Sequence, residues 1–307
     1  MRRLREERGQ VMPLLALGLL AALLGVSALV IDAGAWYQAH RSAQAAADAA
    51  ALAAAQRLPA SSAAEATSLA KAYVAVNGAT LEGGPVFKSV TAPNDTVTVR
   101  VVRVVPSVFA RVLGVDQVTV RATATARASA PSRAGRVVPV GVNRNHQALR
   151  CLPGCLGRPT QLVHEPNAID APGAFGLLDL ENTQGSVATH VLESWVRHGY
   201  PEELAPGPYE SVPGNRFNSG PVSDAFDAIV AAGQPVLVPI YSSVSGSGAN
   251  AIYTVIGFGA FLPTAWEPHA GGGSSILSGR FVDVVIPGGG GDDAAAYYGA
   301  KGVRLVG

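Results

Sequence analysis

"VMPLLALGLLAALLGVSALVIDAGAWYQAHRSAQAAADAAALAAAQ", Val11 to Gln56, decides how this chain is built. Its first part, Val11 to Ile31, carries no charge. About 20 apolar residues in a helix cross the roughly 30 Å hydrocarbon core of a bilayer. The second part, Asp32 to Gln56, is largely alanine and free of proline, so the same helix is expected to run outward to Leu58, where Pro59 stops it. Pro13 lies near the start of the span, where a proline is tolerated. From Pro13 to Leu58 such a rod measures about 70 Å at 1.5 Å per residue. No small domain buries a rod of that length. Part of it therefore meets other chains, the membrane surface or the chain's own outer region.

Arg2, Arg3, Arg5 and Arg8 precede the span, diluted by Glu6 and Glu7. This bias places the N-terminus in the cytoplasm and the remainder outside. The alternative is a cleaved secretory signal with a site near Ala33 or Ala35. Its apolar core would normally be only about 7–15 residues, and the alanine helix offers no extended cleavage site, so a retained anchor is the favoured reading. Gly18, Ala22 and Gly25 put small residues along the span, which lets helices approach closely in lipid. General alanine richness is the competing explanation.

Beyond the span, alanine at nearly every position makes a thin helix suited to close packing, with Ala46, Ala50 and Ala53 as candidate contact positions. A solvated spacer is the alternative. Asp32 and Asp48 are the acids of this stretch. Asp32 is placed to cap or pair at the membrane surface. Asp48 is placed to pair with a partner helix, Arg41 or Arg57; simple solubility of the emerging helix is the favoured reading for both.

The segment Glu7 to Gln56 resembles the N-terminal region of TadE/TadG-like Flp pilus-assembly proteins. The resemblance rests on the Arg-Gly-Gln before the span, Asp32 at its outer end and "QAAADAAALAAA" after it. It implies a membrane-anchored, externally facing component of a tight-adherence pilus or related secretion system. Its partners would be the lipid bilayer and other pilus-assembly or pilin-like membrane proteins. Prepilins carry a Glu five residues after the cleaved Gly, whereas Leu14 stands five residues after Gly9 here. That departure argues against prepilin-peptidase cleavage and against a major pilin. The long tail fits the larger, membrane-retained TadG-like group.

The chain has 307 residues, 48% hydrophobic and 15% charged, with a formal net charge of +1. Nothing in that balance builds a nucleic-acid surface. The abundance of Ala, Gly, Arg and Pro reads as the coding bias of a GC-rich genome. Cys151 and Cys155, in "CLPGC", are too few for a structural zinc site and are not spaced as a redox CxxC. Outside the cytoplasm a local disulfide is the expected state, with two free thiols as the alternative.

After the shaft, "SSAAEATSLAKAYVAVNG" reads as a helix, with Ser62 and Glu65 as a capping box and Asn77-Gly78 as its stop. Leu69, Tyr73 and Val76 fall on one face. Strands are expected near 86–91 and 96–105, then a short helix in "PSVFARVLG" ending at Gly114. In "QVTVRATATARA", Val118, Val120, Ala122 and Ala124 face in, while Thr119, Arg121, Thr123 and Thr125 face out. From Val137 onward, "RVVPVGV", "QPVLVPIY", "AIYTVIGFGAF" and "RFVDVVI" read as strands, and "SVATHVLESWVRHG" and "PVSDAFDAIVAAG" as amphipathic helices. Segments between Pro172 and Phe261 also resemble distal domains of exported Tad-like proteins from actinobacteria.

The expected class is α+β. The expected division is a cytoplasmic tail 1–10, a span 11–31, a shaft 32–58, a small α-β-β-α-β unit 59–128, a linker 129–136 and a distal extracytoplasmic α+β domain 137–307. No nucleophile elbow, Walker lysine or zinc-protease pair is present. Asp170, Asp179, Asp283, Asp292 and Asp293 match no EF-hand spacing. Trp195, Trp266, Tyr209 and Tyr241 are expected in the core. The expectation is therefore a structural protein without catalysis or cofactor. The alternative is a membrane-tethered binding module for envelope glycan or another surface ligand.

Overall fold

A computed structural model describes residues 8–164, 175–183, 186–213, 216, 219–268, 274–287, 291 and 295–306. The first helix, α1 (Arg8–Ala55), has 48 residues, or about 72 Å of rod. It stops short of Leu58 because its last turn tightens. Arg57 N–H reaches Ala54 O (3.1 Å) and Leu58 N–H reaches Ala55 O (3.0 Å). Such i→i−3 bonds close a helix end ahead of a proline, which disfavours helical backbone at the residue before it. The helix has two contrasting halves. Every described side chain from Met12 to Ile31 is exposed except the half-buried Ala28, whereas Ala43, Ala47, Ala50, Ala51, Ala54 and Ala55 are fully buried.

What buries the C-terminal half is the chain itself. Helix α2 (Ala63–Val76) begins at Ser62, whose hydroxyl accepts from Glu65 N–H, and lays Ala66, Ala70 and Val74 on α1. This corrects the periodicity argument for Leu69, Tyr73 and Val76: Tyr73 and Val76 are exposed and Leu69 is only half-buried. The cause is the alanine surface of α1. A thin helix admits a neighbour closely only through small side chains, so α2 presents its alanines and turns its larger residues away.

Four strands follow: β1 (Thr80–Leu81), β2 (Val86–Lys88), β3 (Thr96–Pro106) and β4 (Gln117–Ser129). The β3–β4 hairpin is regular from Thr96↔Arg127 to Pro106↔Gln117. Val97, Val99 and Val101 alternate inward with Ala122, Ala124 and Ala126, and this face packs under α1. Arg103 Nη1 donates to Ser42 Oγ, and Gln44 Nε2 to Thr123 O (3.2 Å), so the hairpin lies along the shaft.

The second body comprises β5 (Val140–Asn143), α3 (Gln147–Arg150), β6 (Thr160–His164), β7 (Phe175–Asp179), α4 (Thr189–His198), β8 (Gly207–Ser211), α5 (Gly220–Ala232), β9 (Val236–Ser245), β10 (Ile252–Glu267) and β11 (Ser275–Phe281). Its sheet runs β6-β11-β10-β8-β7-β5-β9, and β9 pairs again with β10. The ring β10-β8-β7-β5-β9 is thereby closed, which the long β10 (16 residues) makes possible. Leu192, Trp195 and Val196 of α4 and Val222, Phe226 and Ile229 of α5 fill its core. Gly199 ends α4 at φ +76°, where a Cβ would meet the Arg136 backbone at 2.4 Å, so only glycine fits.

The last strands leave this body. Strand β12 (Val284–Val285) pairs with β13 (Ala300–Leu305), and β13 pairs antiparallel with β4, from Gly302↔Ser129 to Leu305↔Ala126. The end of the stretch expected to be wholly distal thus completes the first sheet.

Candidate functional site

The groups that distinguish this molecule sit along α1. At the C-terminal end of the bare segment, Asp32 is 2% exposed. Its carboxylate accepts backbone N–H bonds from Val108 (2.9 Å), Phe109 (2.9 Å) and Ala110 (2.5 Å). These residues begin the tip of the β3–β4 hairpin, where a short 3-10 turn (Ala110–Leu113) ends at Gly114 in left-handed backbone. Desolvation pushes the Asp32 carboxyl up, but the three N–H donors outweigh it and hold the pKa below the usual carboxylate range. Asp32 is thus a cap, though of a turn in another segment.

Asp48 is half-buried and accepts from Gln44 Nε2 at 2.8 Å, one helical turn away. Among the described residues it forms no ion pair with Arg41 or Arg57. Ala46, Ala50 and Ala53 are at most 4% exposed, covered within this chain. Ala50 packs in the core under the first sheet, so of the partners open to the shaft the chain's own outer region covers this face. By contrast Gly18, Ala22 and Gly25 are exposed, and a Cβ on either glycine would meet nothing within 4 Å.

A second polar cluster joins the two bodies. Lys301 is fully buried in β13; its Nζ donates to Leu58 O (2.6 Å) and to Asp283 Oδ2 (2.5 Å). Tyr297 donates its hydroxyl to Asp283 Oδ1. Burial lowers the Lys301 pKa against the opposing pull of Asp283, and burial beside Asp283 raises that of Tyr297. The lysine therefore ties the end of the shaft, the C-terminal strand and the distal body at one point.

The distal body carries a cleft of about 720 Å³ lined by Asn145, His146, Arg150, Gln161 and Ser278, among others. His146 is 1% exposed and uses both ring nitrogens: Nδ1 accepts from Ala148 N–H (3.2 Å) and Nε2 donates to Gln161 O (3.1 Å). Burial lowers its pKa, partly offset by the Gln161 carbonyl. That commitment leaves it capping α3 rather than acting as a base. Cys151 and Cys155, beside this cleft in sequence, are joined in a disulfide with 5.5 Å between Cα atoms.

Among the described residues, no group of three or more His, Cys, Asp or Glu is placed to hold a metal ion. Asp179 accepts from Thr183 N–H and Oγ1, closing a turn, and Asp283 is engaged as above. Asp170, Asp292 and Asp293 lie outside the described residues. Trp195, Trp266 and Tyr241 are buried, and Tyr209 is half-buried with its hydroxyl on Ala205 O.

Sequence reasoning missed the donors to Asp32 and the whole Lys301 cluster. A buried lysine has a weak signal, a lone Lys in an apolar-flanked strand, and its partners are far away in the chain. Residues 9–57, a range that includes α1 from its second residue to its end, match the family described as "Putative Flp pilus-assembly TadE/G-like". Nothing matches the chain among curated proteins or among solved structures.

Proposed function

We propose that this chain is a single-pass, outward-facing structural component of a Tad/Flp pilus assembly or related secretion apparatus, without catalysis. One observation carries the reading. The family-matched segment is a single helix whose inner half is bare and apolar and whose outer half is the floor of a folded domain. Such a helix transmits position rigidly from lipid to outer domain. Its N-terminal arginines orient it with residues 32 onward outside. With the alanine face already covered, assembly contacts fall to the span, through the stripe of Gly18, Ala22 and Gly25.

Photo-crosslinking amino acids at positions 18, 22 and 25, with Leu20 on the opposite face as control, test this in native membranes. Capture of pilin-like or pilus-platform membrane proteins from the small-residue face, and not from position 20, is the expected result. Lipid adducts alone at all four positions would refute assembly through the span. A second reading, a tethered binding module, draws on the cleft at Asn145–Ser278, whose amide, hydroxyl and guanidinium groups suit a polar ligand such as a glycan. Retention of the purified chain on cell-envelope glycan, abolished by Arg150→Ala and Gln161→Ala, would favour it.

A further inference from the structure

We propose that the tip of the β3–β4 hairpin is a second membrane-contacting element, seated in the outer leaflet beside the transmembrane helix; this rests on the anchor reading above. The tip exposes an apolar cluster: Val108 at 63%, Phe109 at 43%, Val112 at 87%, Leu113 at 85% and Val115 at 41%. Its only charges, Arg111 and Asp116, pair with each other at 3.6 Å. An exposed cluster of this kind marks a contact surface.

What fixes its partner is its height. The three N–H bonds to Asp32 hold the tip at the level of that residue. Asp32 follows directly on Ile31, the last residue of the uncharged run. The register along the hairpin agrees. From Asp32 to Ser42 the helix climbs about 15 Å. From Val108 back to Arg103, which donates to Ser42, the strand climbs about 16 Å. The hairpin therefore stands on the membrane with its turn downward. Trp36 and Tyr37 lie about one turn further out on α1, and Tyr37 is 65% exposed, in keeping with the aromatic belt of a bilayer interface. The stem of Arg111 can lie along the apolar cluster while its head stays among phosphates. A lipid surface thus covers residues that water would otherwise meet, and it is continuous with the lipid around Val11–Ile31.

Asp32 then has a double task. It ends the span, and it satisfies three backbone donors that would otherwise lie near the hydrocarbon boundary without partners. Two attachments, helix and tip, fix the azimuth of the outer domain, which a single helix would leave free to swing.

The test uses the full chain in phosphatidylcholine vesicles with a nitroxide on Leu113→Cys. Val76→Cys is the aqueous control, since Val76 is equally exposed (86%) and lies two residues before Gly78, which meets Arg103 at the level of Ser42, about 15 Å outward of Asp32. Leu20→Cys reports the span. Power saturation compares collision with oxygen, which concentrates in lipid, and with a water-soluble nickel complex. The expected result is an oxygen-to-nickel ratio at position 113 several-fold above that at 76 and approaching that at 20. A ratio at 113 equal to that at 76, with 20 in lipid, overturns the tip contact alone. Water at 20 overturns the anchor and the tip contact together. Low collision with both agents at 113, with dipolar broadening, shows a second copy covering the tip and also overturns the proposal.

Discussion

Asp32 joins two segments 76 residues apart in the chain through backbone donors alone, so its effect is local and readable. In Asp32→Ala the hairpin tip loses its tie, and trypsin is expected to cut at Arg111 several-fold faster than in the parent chain, while Asp32→Asn, which keeps an acceptor oxygen, is intermediate. The same contact has a defined pH response. A carboxylate whose folded pKa lies below its unfolded value of about 3.9 stabilises fully above that value, and the contribution fades as pH falls through the folded pKa. The tryptic protection of Arg111, assayed after brief acid exposure, is expected to hold at pH 5 and to fail only below the unfolded value. His146 has the corresponding behaviour for a base. Its folded pKa lies below the unfolded value of about 6.5, so the folded state resists a proton that the unfolded state takes up. Stability measured by denaturant titration is expected to decline as pH falls below about 6.5, and His146→Gln should flatten that part of the profile. These two residues also mark what the sequence could reveal at this scale. Asp32 stood out because a charge at the end of an uncharged run is conspicuous. Its donors did not, because backbone N–H groups leave no trace in residue identity.

At the scale of elements, α1 was legible because an uncharged run followed by proline-free alanine has one solution over its whole length, and only its final turn was misjudged. Strand β4 was legible because strict alternation admits one face. Helix α2 was misread because periodicity ranks faces by size, whereas the neighbour here is a rod of methyl groups that admits only Ala66, Ala70 and Val74. That close fit makes a sharp test. Ala50→Leu and Ala46→Leu force bulk into fully buried positions and are expected to cost about 1–3 kcal/mol each in denaturation of the detergent-solubilised chain. Ala45→Leu, on the exposed side of the same helix, is expected to change stability by less than about 0.5 kcal/mol. Equal effects at 45 and 50 would mean that the shaft is not the floor of the first sheet. The Cys151–Cys155 link closes a very short loop, so Cys151→Ala with Cys155→Ala is expected to lower stability by no more than about 2 kcal/mol on a chain-entropy basis.

The whole molecule is held together by connections that no local pattern announces. The return of β13 to β4 joins the last described strand to the first sheet, and pairing partners so distant in sequence carry no periodic signature. Lys301 sits at that joint. Lys301→Ala leaves Leu58 O and Asp283 without their cation, and breaking a buried pair of this kind costs about 3–5 kcal/mol. Lys301→Met, which keeps the packing and removes the charge, is expected to cost less. Hydrogen exchange should then show β13 and the Leu58 turn loosening together. The larger account stands on α1 being both anchor and floor: the bare half stays in the membrane while the alanine half is built into the outer domain. The most direct measurement is alkaline extraction of native membranes followed by mass-spectrometric mapping of where the mature chain begins. The account predicts that the chain remains in the membrane pellet and still carries Val11–Ile31. A soluble chain beginning near Ala33 or Ala35 would contradict it, because the apolar half of α1 would then be a discarded leader.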